Sequence, residues 1–449
     1  MSLEHDIQAS RFTAQDIKNN FTDLHPALSI KQALVASERC LFCYDAPCIQ
    51  ACPTKIDIPL FIKQINTNNA HGAAKEILSA NILGGSCAKV CPTETLCEQA
   101  CVRNLKEEAP VDIALLQRYA IDHLDHSQGY PFKRSPTTGK HIAVIGAGPA
   151  GLACAHRLAQ NGHKITIYEA AKKSGGLNEY GIAQYKLVDD YAQKEIDFVL
   201  KIGGIDIQYE TALGSDISLT SLRNNHDAVF IAIGLNATNT LNIPGENLKG
   251  VEDAIDYISQ LRQSGDMTDL PVGRRIVIIG AGMTAIDIAV QSKKLGAEEV
   301  SIVYRRNQQN MGASQYEQEL ALTHGIRFVF NAQPHQILGN KQGATHIQFK
   351  QTTENSEGQL ITTDNIIELP CDVIFKAIGQ KLNSSVLAHN TDPIPALDTR
   401  GRLKVNRQFR TSLDNVYAGG DAINGLDLVV EAVSHGNQAA AAIHKQLKK

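Results

Sequence analysis

Apolar and polar residues follow two different rhythms along the chain. Up to about residue 125, apolar residues recur at the three- and four-residue spacing of amphipathic helices, most clearly in 58–65, 72–79 and 111–124. From residue 140 onward, short apolar runs typical of buried strands alternate with helical segments. Residues 126–139 between these parts are rich in Ser, Gly, Pro and Thr, as in a linker. The pattern predicts a helical domain over 1–125, followed by α/β domains.

Two stretches of the α/β part repeat one order of elements. The strand H-I-A-V-I leads into G-A-G-P-A-G (146–151), a helix and a second strand that ends at Glu169. Later, R-I-V-I-I leads into G-A-G-M-T-A (280–285), a helix and a strand that is followed by Arg305 and Arg306. This order is typical of dinucleotide-binding units. We therefore expect two Rossmann-like domains.

The residues of each unit indicate different ligands. The glycines Gly146, Gly148 and Gly151, and their counterparts Gly280 and Gly282, let the backbone approach a pyrophosphate at a helix N-terminus. The carboxylate of Glu169 suits ribose hydroxyls, whereas a guanidinium at Arg305 or Arg306 suits the 2′-phosphate of NADP. The second site is therefore expected to prefer NADP over NAD. The alternative is two solvated arginines at a strand end.

Two dinucleotide units most simply imply FAD and a nicotinamide coenzyme. The segments 228–235 and 372–380 both read as strands that end in A-I-G, where the chain passes between the units. In V-Y-A-G-G-D-A-I (416–423), Asp421 follows Gly420 and precedes a helix, which suits the ribityl and pyrophosphate region of FAD.

The order of these segments predicts how the domains are arranged. The FAD domain is expected over 140–245 and 377–449, with the NAD(P) domain over 246–376 inserted into it. Cys154 and Cys371 are solitary and form no C-x-x-C near the flavin, so a disulfide reductase is not expected.

Eight of the ten cysteines lie within residues 40–101, in two groups of four. The first group is Cys40, Cys43, Cys48 and Cys52, and the second is Cys87, Cys91, Cys97 and Cys101. This spacing is close to the ferredoxin pattern C-x2-C-x2-C-x3-C-P, whose thiolates hold 4Fe–4S clusters. Structural zinc is bound by more regular C-x2-C pairs, and disulfide frameworks belong to short secreted chains. The spacing predicts two 4Fe–4S clusters.

Composition excludes several classes of partner. The chain has 449 residues, and its net charge of −4 shows no excess of positive charge of the kind that nucleic-acid binding needs. Its amino terminus does not resemble a secretory signal, and no apolar run approaches the ~20 residues that a membrane-spanning helix needs. A cytoplasmic location is expected, because a reducing compartment keeps thiolates available for clusters.

Taken together, these segments resemble a known family over about 25–449. D-A-P-C-x-x-x-C-P at 45–53, G-A-A-K at 72–75 and V-C-P-T-x-x-L-C at 90–97 are similar to the dihydropyrimidine dehydrogenases. The family shares a flavin and iron–sulfur electron-input module with the small subunit of glutamate synthase. Within this family, the chain resembles a separate bacterial subunit that donates electrons to an FMN-bearing, pyrimidine-reducing partner.

The resemblance implies two sets of cluster ligands. One cluster is expected on Cys40, Cys43, Cys48 and Cys101, and the other on Cys52, Cys91, Cys97 and Gln117. Spacing alone favours Cys87 over Gln117 as the fourth ligand of the second cluster, so that choice stays open.

The resemblance also implies residues that contact FAD and the nicotinamide coenzyme. The expected FAD contacts are Ala150, Glu169, Gly176, Leu177, Lys186, Leu235 and Asp421, with Pro149 and Gly420 beside them. The expected NAD(P) contacts are Ala281, Gly282, Met283, Thr284, Arg305, Arg306, Ala377, Ile378 and Gly379. The chain departs from the family at Met283, where an aspartate is usual, and at Ala183, where a proline is usual.

The function expected from this resemblance is electron input. The chain is expected to oxidise NAD(P)H and to pass electrons through FAD and the clusters to an FMN-containing catalytic subunit, which reduces uracil or thymine. The two are expected to form a hetero-oligomer, and the chain alone should reduce artificial acceptors but not uracil. The alternatives are the NADPH-oxidising small subunit of glutamate synthase, a related electron donor, and a scaffold that has lost turnover.

Overall fold

The computed structural model describes residues 7–355, 358–388 and 393–448. Its helices are α1 (Ala14–Asn20), α2 (Ile30–Glu38), α3 (Pro47–Ala51), α4 (Ile58–Asn66), α5 (Ala70–Ala80), α6 (Gly84–Val90), α7 (Val102–Glu107), α8 (Ile113–Asp122), α9 (Pro149–Gln160), α10 (Leu177–Tyr180), α11 (Tyr191–Leu200), α12 (Leu219–Asn225), α13 (Ala254–Gln263), α14 (Met283–Lys294), α15 (Gln315–Thr323) and α16 (Val429–Leu447). Its strands are β1 (Ile7–Gln8), β2 (His141–Ile145), β3 (Lys164–Tyr168), β4 (Ile205–Gln208), β5 (Ala228–Ile231), β6 (Ala237–Thr238), β7 (Val251–Asp253), β8 (Val272–Gly273), β9 (Arg275–Ile279), β10 (Glu299–Val303), β11 (Arg327–Val329), β12 (Ala332–Asn340), β13 (Gly343–Glu354), β14 (Leu360–Pro370), β15 (Val373–Lys376), β16 (Gln380–Lys381) and β17 (Val416–Ala418).

Two five-stranded sheets carry the α/β part. The first has the order β17-β5-β2-β3-β4, and the second has the order β11-β10-β9-β15-β7. All neighbouring strands within each sheet are parallel. The strands read as nearly continuous Val and Ile runs, because helices cover both faces of a parallel sheet. The expected α/β fold class with two Rossmann-like domains is confirmed.

Each sheet has a point at which the strand order reverses. In the first sheet this point lies between β2 and β5, and in the second it lies between β9 and β15. Ligands of open parallel sheets bind beyond the carboxyl ends of the strands at such points. Both glycine turns directly follow these central strands, β2 and β9.

The chain folds into two compact units. One unit contains the described residues of 7–24, 180–188 and 238–380, including the second sheet. The other contains 25–179, 189–237 and the described residues of 381–448, including the first sheet. Residues 7–24, assigned by pattern to the helical domain, lie in the unit of the second sheet, where β1 pairs with β8. The four-segment domain division stays a prediction.

The helices that carry the cysteines share a core with the first sheet's helices. Phe61, Ile62 and Leu116 are fully buried in this core. Ala153 of α9 and Val433 of α16 belong to the same cluster of buried side chains. Because these residues exclude water together, the cysteine-bearing helices and α9 are held in one packed body.

Within the described residues, none of the helices combines the length and the apolarity that crossing a membrane requires.

Candidate cofactor sites

The first glycine turn is closed so tightly that only glycine fits two of its positions. Gly146 has φ +97°, and a Cβ on it would lie 2.5 Å from the backbone oxygen of Ala232. A Cβ on Gly151 would lie 2.0 Å from the oxygen of Gly146. Gly148 then caps α9, whose first residue is Pro149, so the first backbone N–H groups of this helix have no partner within the helix, as in helix starts that bind anions.

Three further segments converge on this turn. The side chain of Glu169 accepts hydrogen bonds from the backbone N–H groups of Ala147 (2.7 Å) and Ala171 (2.8 Å). Gly176, at φ +53°, packs against Gly148. Gly420 packs against Ala150, which is buried. The structure therefore brings most of the expected FAD residues together around one helix N-terminus.

Asp421 lies beside this helix start. Burial raises the pKa of its carboxyl to about 6, the charge of Asp427 adds to the rise, and Arg402 opposes it. Leu177 is 37% exposed in the segment that follows Gly176, and Leu235 lies partly buried just beyond β5. These contacts with FAD stay predictions.

The second glycine turn also joins a central strand to a helix, and its middle glycine is less closely approached than that of the first. Gly280 has φ +135°, and a Cβ on it would lie 2.1 Å from the oxygen of Ala377. Gly282 caps α14, which begins with Met283 and Thr284, and nothing lies within 4 Å of a Cβ placed on Gly282.

Other expected coenzyme residues frame this turn. The backbone oxygen of Ala281 accepts from Ala313 (3.0 Å). On the neighbouring strand's extension, the oxygen of Ile378 accepts from Asn239 (3.2 Å), and Gly379 has φ +88°. The structure therefore brings residues 280–284 and 377–379 together at the carboxyl ends of the neighbouring strands β9 and β15.

The two arginines follow β10 directly after Tyr304. Their backbone oxygens are engaged: Arg305 accepts from the Thr352 hydroxyl (2.7 Å) and Arg306 from the Asn331 N–H (3.1 Å). In the part of the chain that the structure describes, neither guanidinium pairs with an acid. Both side chains are thus available to an external anion.

Lys186 lies in the unit of the second sheet, not in the unit of the other expected FAD residues. Its ammonium group is buried between the carboxylates of Asp287 (2.7 Å) and Glu317 (2.9 Å). Burial lowers its pKa, but the charges of these acids and of Tyr185 outweigh that effect and raise the pKa well above its usual value. The contact of Lys186 with FAD stays a prediction.

One pocket, open to solvent at its mouth, is lined by four cysteines. They are Cys40, Cys43, Cys48 and Cys101. Burial, together with the charges of Cys40 and Cys101, raises the pKa of Cys48 to about 12. The first ligand set that the resemblance implies is therefore assembled around a single space.

The remaining cysteines of the region form a second, more deeply buried group. The pKa of Cys91 is raised well above its usual value by a hydrogen bond with Cys87, by burial, and by the charges of Cys87, Cys97 and Cys52. Burial raises the pKa of Cys97, and the charges of Glu98, Cys52 and Cys48 add to that rise. The two groups are neighbours, because Cys40, Cys48 and Cys101 pack against the buried cluster that contains Cys52, Cys87 and Cys97.

Gln117 reaches the start of the helix that carries Cys87. Its amide nitrogen donates to the backbone oxygen of Gly84 (2.6 Å), and the side chain is 7% exposed. The amide oxygen is thereby left for another partner. Because Cys87 lies on the same short helix, α6, both candidates for the fourth ligand stay open.

The donor set fits 4Fe–4S clusters. Buried thiols crowded together resist ionisation, and bound iron removes this penalty because its positive charge stabilises thiolates. Among the described residues, no three His, Cys, Asp or Glu side chains are close enough to hold one metal ion. A cube distributes its four ligands over four iron atoms, so its ligands stand farther apart than those of a single ion.

Glu195 on α11 is a further residue of this region, and the sequence pattern does not predict it. Its buried carboxylate accepts from the backbone N–H groups of Gly85 (2.9 Å) and Ser86 (3.0 Å), just before Cys87. Burial raises its pKa to about 7, partly offset by these hydrogen bonds and by Lys89. A lone glutamate in a helix carries no signal. The Gly84–Gly85 pair could have indicated a close approach, since a Cβ on Gly85 would lie 1.9 Å from the Tyr191 hydroxyl.

Two glycine turns at sheet switch points and an iron–sulfur ligand set define an oxidoreductase that uses FAD, a nicotinamide coenzyme and 4Fe–4S. Residues 140–436 match the family model for pyridine nucleotide-disulphide oxidoreductases, and residues 17–129 match the model for dihydropyrimidine dehydrogenase domain II, 4Fe-4S cluster. The chain belongs to the pyridine nucleotide-disulphide oxidoreductase family and carries an N-terminal 4Fe–4S domain.

Curated relatives match over nearly the whole chain. The NAD-dependent dihydropyrimidine dehydrogenase subunit PreT of Escherichia coli K12 is 32% identical over 431 residues, which cover 96% of this chain and 98% of PreT. The glutamate synthase [NADPH] small chain of the same organism is 32% identical over 455 residues, covering 96% of this chain and 95% of that one. The expected resemblance is confirmed.

Solved structures show the same fold. FprA of Mycobacterium tuberculosis in complex with NADPH has a TM-score of 0.57 and 19% identity, covering 70% of this chain and 85% of FprA. Thioredoxin reductase of T. acidophilum has a TM-score of 0.54 and 20% identity, covering 69% of this chain and 100% of that one. In this chain Cys154 and Cys371 are both buried, and burial raises the pKa of each thiol.

Proposed function

We propose that the chain is the electron-input subunit of a pyrimidine-reducing enzyme. It oxidises NAD(P)H and passes electrons through FAD and two 4Fe–4S clusters to an FMN-bearing catalytic subunit, which reduces uracil or thymine. PreT, similar over 96% of this chain, is itself named a subunit of a dihydropyrimidine dehydrogenase. Bound FAD accepts two electrons as a hydride and can release them singly, as one-electron clusters require.

The observation that supports this proposal most strongly is the shared core of the cysteine helices and the first sheet's helices. Ala153, in that core, lies on α9, the helix that begins at the first glycine turn. Cys52, Cys87 and Cys97 belong to the same core. The expected flavin site and the second cysteine group are therefore held in one packed body, which fixes the distance between them.

The chain's own residues then have separate roles. Cys40, Cys43, Cys48 and Cys101 hold the cluster at the solvent-open pocket. Cys52, Cys91 and Cys97 hold the inner cluster, with Gln117 as fourth ligand through its free amide oxygen. Glu195 fixes the start of α6, from which the chain runs to Cys91.

The choice between Gln117 and Cys87 has a direct test. If Gln117 is the ligand, Cys87→Ser keeps about eight irons per chain, because both clusters remain intact. Gln117→Leu, which removes the amide oxygen and keeps the volume, then loses close to half of the iron. Iron and acid-labile sulfide analysis of anaerobically prepared protein measures both variants. The opposite result, iron loss in Cys87→Ser alone, assigns the fourth position to Cys87.

We propose NADP as the coenzyme. PreT is named NAD-dependent and the glutamate synthase small chain is named for NADPH, so the relatives differ. The two arginines after β10 have no acidic partner among the described residues, and a 2′-phosphate supplies one.

The whole proposal is tested with the purified chain under anaerobic conditions. NADPH should support reduction of an artificial acceptor such as ferricyanide, and uracil should not be consumed. Uracil reduction should begin when an FMN-bearing protein that co-purifies with the chain is added. Uracil reduction by the chain alone contradicts the proposal, as does a co-purifying partner that has no FMN.

A second candidate is the electron-donor subunit of a glutamate synthase. It is favoured by the equal identity, 32%, to the glutamate synthase small chain. A co-purifying partner that forms glutamate from glutamine and 2-oxoglutarate with NADPH would establish it.

A further inference from the structure

Large apolar side chains are exposed around the pocket of the first cysteine group. They are Leu41, Phe42, Tyr44, Leu60 and Leu105, and we call them the apolar surface. Leu41 is 53% exposed, Leu105 is 78% exposed, and Tyr44 is fully exposed. Single exposed apolar residues are ordinary on a protein, whereas a group of them beside one opening is typical of a site that another molecule covers.

The loop between Cys40 and Cys48 contributes three of these side chains. Leu41 lines the pocket directly. Phe42 has φ +50°, a left-handed conformation that a bulky residue rarely adopts. Strained backbone of this kind is concentrated at functional sites. The ammonium group of Lys63 on α4 lies 4.8 Å from the centre of the Phe42 ring, which holds the ring near that helix.

Two helices contribute the remaining members. Leu60 of α4 lies three residues before Lys63, so it belongs to the helix face that reaches Phe42. Val102 of α7 lines the pocket, and Leu105 lies three residues further along the same helix, on the same face. Side chains from three segments therefore lie beside one opening, all within the unit of the first sheet.

Charged side chains of both signs border the apolar surface. Arg103 lines the pocket and pairs with Glu107 (2.5 Å), and Arg39 approaches the same carboxylate (3.6 Å). Lys106 and Glu108 are exposed beside them. Interfaces between proteins have an apolar centre and a polar border of this kind. A membrane-binding face is instead rich in Lys and Arg.

The centre of the apolar surface indicates what kind of protein covers it. The four cysteines of the first group line a pocket that is open to solvent, whereas Cys52, Cys87 and Cys97 of the second group are buried. Electrons pass between one-electron centres only over short distances, so an acceptor must approach the mouth of this pocket. A second copy of the chain related by a two-fold axis would place two such mouths against each other and close this route.

We propose that the apolar surface is the docking site for the FMN-bearing catalytic subunit, whose one-electron centre then faces the first cysteine group. The apolar side chains exclude water around the mouth of the pocket and hold the two redox sites close together. Tyr44 is the expected anchor, because tyrosines are enriched among the interface residues that contribute most to affinity. This inference rests on the proposed function and adds to it the surface through which electrons leave the chain.

The test is Tyr44→Ser and Leu105→Ser, with Leu322→Ser as matched control. Leu322 lies on α15 in the other unit and is 53% exposed. Isothermal titration calorimetry measures the affinity of each iron-replete chain for the FMN-bearing protein that co-purifies with the wild-type chain. We expect Tyr44→Ser and Leu105→Ser each to raise the dissociation constant at least about tenfold, and Leu322→Ser to stay within about twofold of wild type.

A second readout separates docking from folding and cluster loading. Ferricyanide is a small acceptor that needs no docking surface. Its reduction by NADPH, and the iron content, should therefore stay within about twofold of wild type in all three variants, as is usual for exposed positions. With a limiting amount of the FMN-bearing protein, uracil reduction should fall about tenfold in Tyr44→Ser, and an excess of that protein should restore it.

Wild-type affinity in both Tyr44→Ser and Leu105→Ser, or an equal loss of affinity in Leu322→Ser, would overturn the inference. Loss of self-association in Tyr44→Ser, measured by light scattering, would assign the surface to a second copy of the chain instead. Loss of binding to phosphatidylglycerol vesicles in the same variant would assign it to a membrane. If no FMN-bearing protein co-purifies with the wild-type chain, the proposed function itself fails, and the inference fails with it.

Discussion

The two glycine turns both join a central strand to a helix but differ in what surrounds them. In the first, Gly176 packs against Gly148, and Glu169 accepts a hydrogen bond from Ala147 within the turn. In the second, Gly312 approaches Gly282 less closely: a Cβ on Gly312 would lie 3.7 Å from the Cα of Gly282, whereas a Cβ on Gly176 would lie 2.9 Å from the Cα of Gly148. Two arginines stand where the first unit has Glu169. Both turns lie at the switch point of a five-stranded parallel sheet.

The difference indicates that the glycine turn itself determines only where a pyrophosphate binds. The neighbours of the turn determine which dinucleotide binds there and how firmly it is held. The first turn is enclosed by other segments of its unit, as suits a resident FAD. The second is less closely approached, and its two arginines pair with no acid among the described residues, as suits a phosphorylated coenzyme that must enter and leave.

The largest expected effect is at the third position of the first turn. In Gly151→Ala, the new Cβ would lie 2.0 Å from the backbone oxygen of Gly146, so the turn must open. We expect loss of bound FAD and a decrease of about 3 kcal/mol in the free energy of unfolding. The second turn already has Ala285 at this position. There, Ala285→Gly should keep FAD and cost about 1 kcal/mol, the helix propensity difference.

Flavin absorbance after gel filtration and urea denaturation measure both variants. Full FAD content in Gly151→Ala would show that the first turn is no tighter than the second.

The next largest effect is expected at the arginines. Arg305→Ala and Arg306→Ala should each raise KM for NADPH about tenfold or more, since a hydrogen bond between charged groups contributes about 1.5–3 kcal/mol. KM for NADH should change less than about twofold, because NADH lacks the 2′-phosphate. Steady-state reduction of an artificial acceptor with each coenzyme gives the two KM values of each variant and of the wild type. Equal changes in KM for NADPH and NADH would show that the arginines do not bind the 2′-phosphate, and the charge of the second turn would then not explain its choice of coenzyme.

A smaller effect is expected at Glu169. Glu169→Gln keeps one acceptor oxygen but loses the negative charge, so one of the two backbone hydrogen bonds from Ala147 and Ala171 is lost. We expect FAD affinity to fall about tenfold, equivalent to about 1.4 kcal/mol. Flavin fluorescence during dilution measures the dissociation. No change in FAD affinity would mean that this carboxylate stabilises the backbone of the turn and does not contribute to FAD binding.

Local chemistry made both turns and the cysteine groups predictable. A glycine turn between a strand and a helix is specified by a few adjacent residues, and the spacing of cluster-binding cysteines can be counted in the sequence. The geometry at Gly146 and Gly280 agrees with this, since both positions require a positive φ and contact backbone.

Contacts between distant residues were not predictable. Residues 7–24 join the unit of the second sheet through contacts such as that of Ser10 with Thr268, 258 residues away. Glu195 and Asp287 lie in ordinary helical sequence, and their roles depend on which segment packs against them. The choice between Cys87 and Gln117 is not resolved by spacing, because a residue of α8 reaches the helix that carries Cys87.

The central claim is that one chain links a nicotinamide-oxidising flavin to one-electron iron centres. The most direct measurement is anaerobic titration of iron-replete protein with NADPH, followed by visible absorption and low-temperature electron paramagnetic resonance. We predict bleaching of the flavin, accompanied by the signal of a reduced 4Fe–4S cluster. Full flavin bleaching with excess NADPH, with no cluster signal at any point while dithionite reduces the same clusters, would contradict the account.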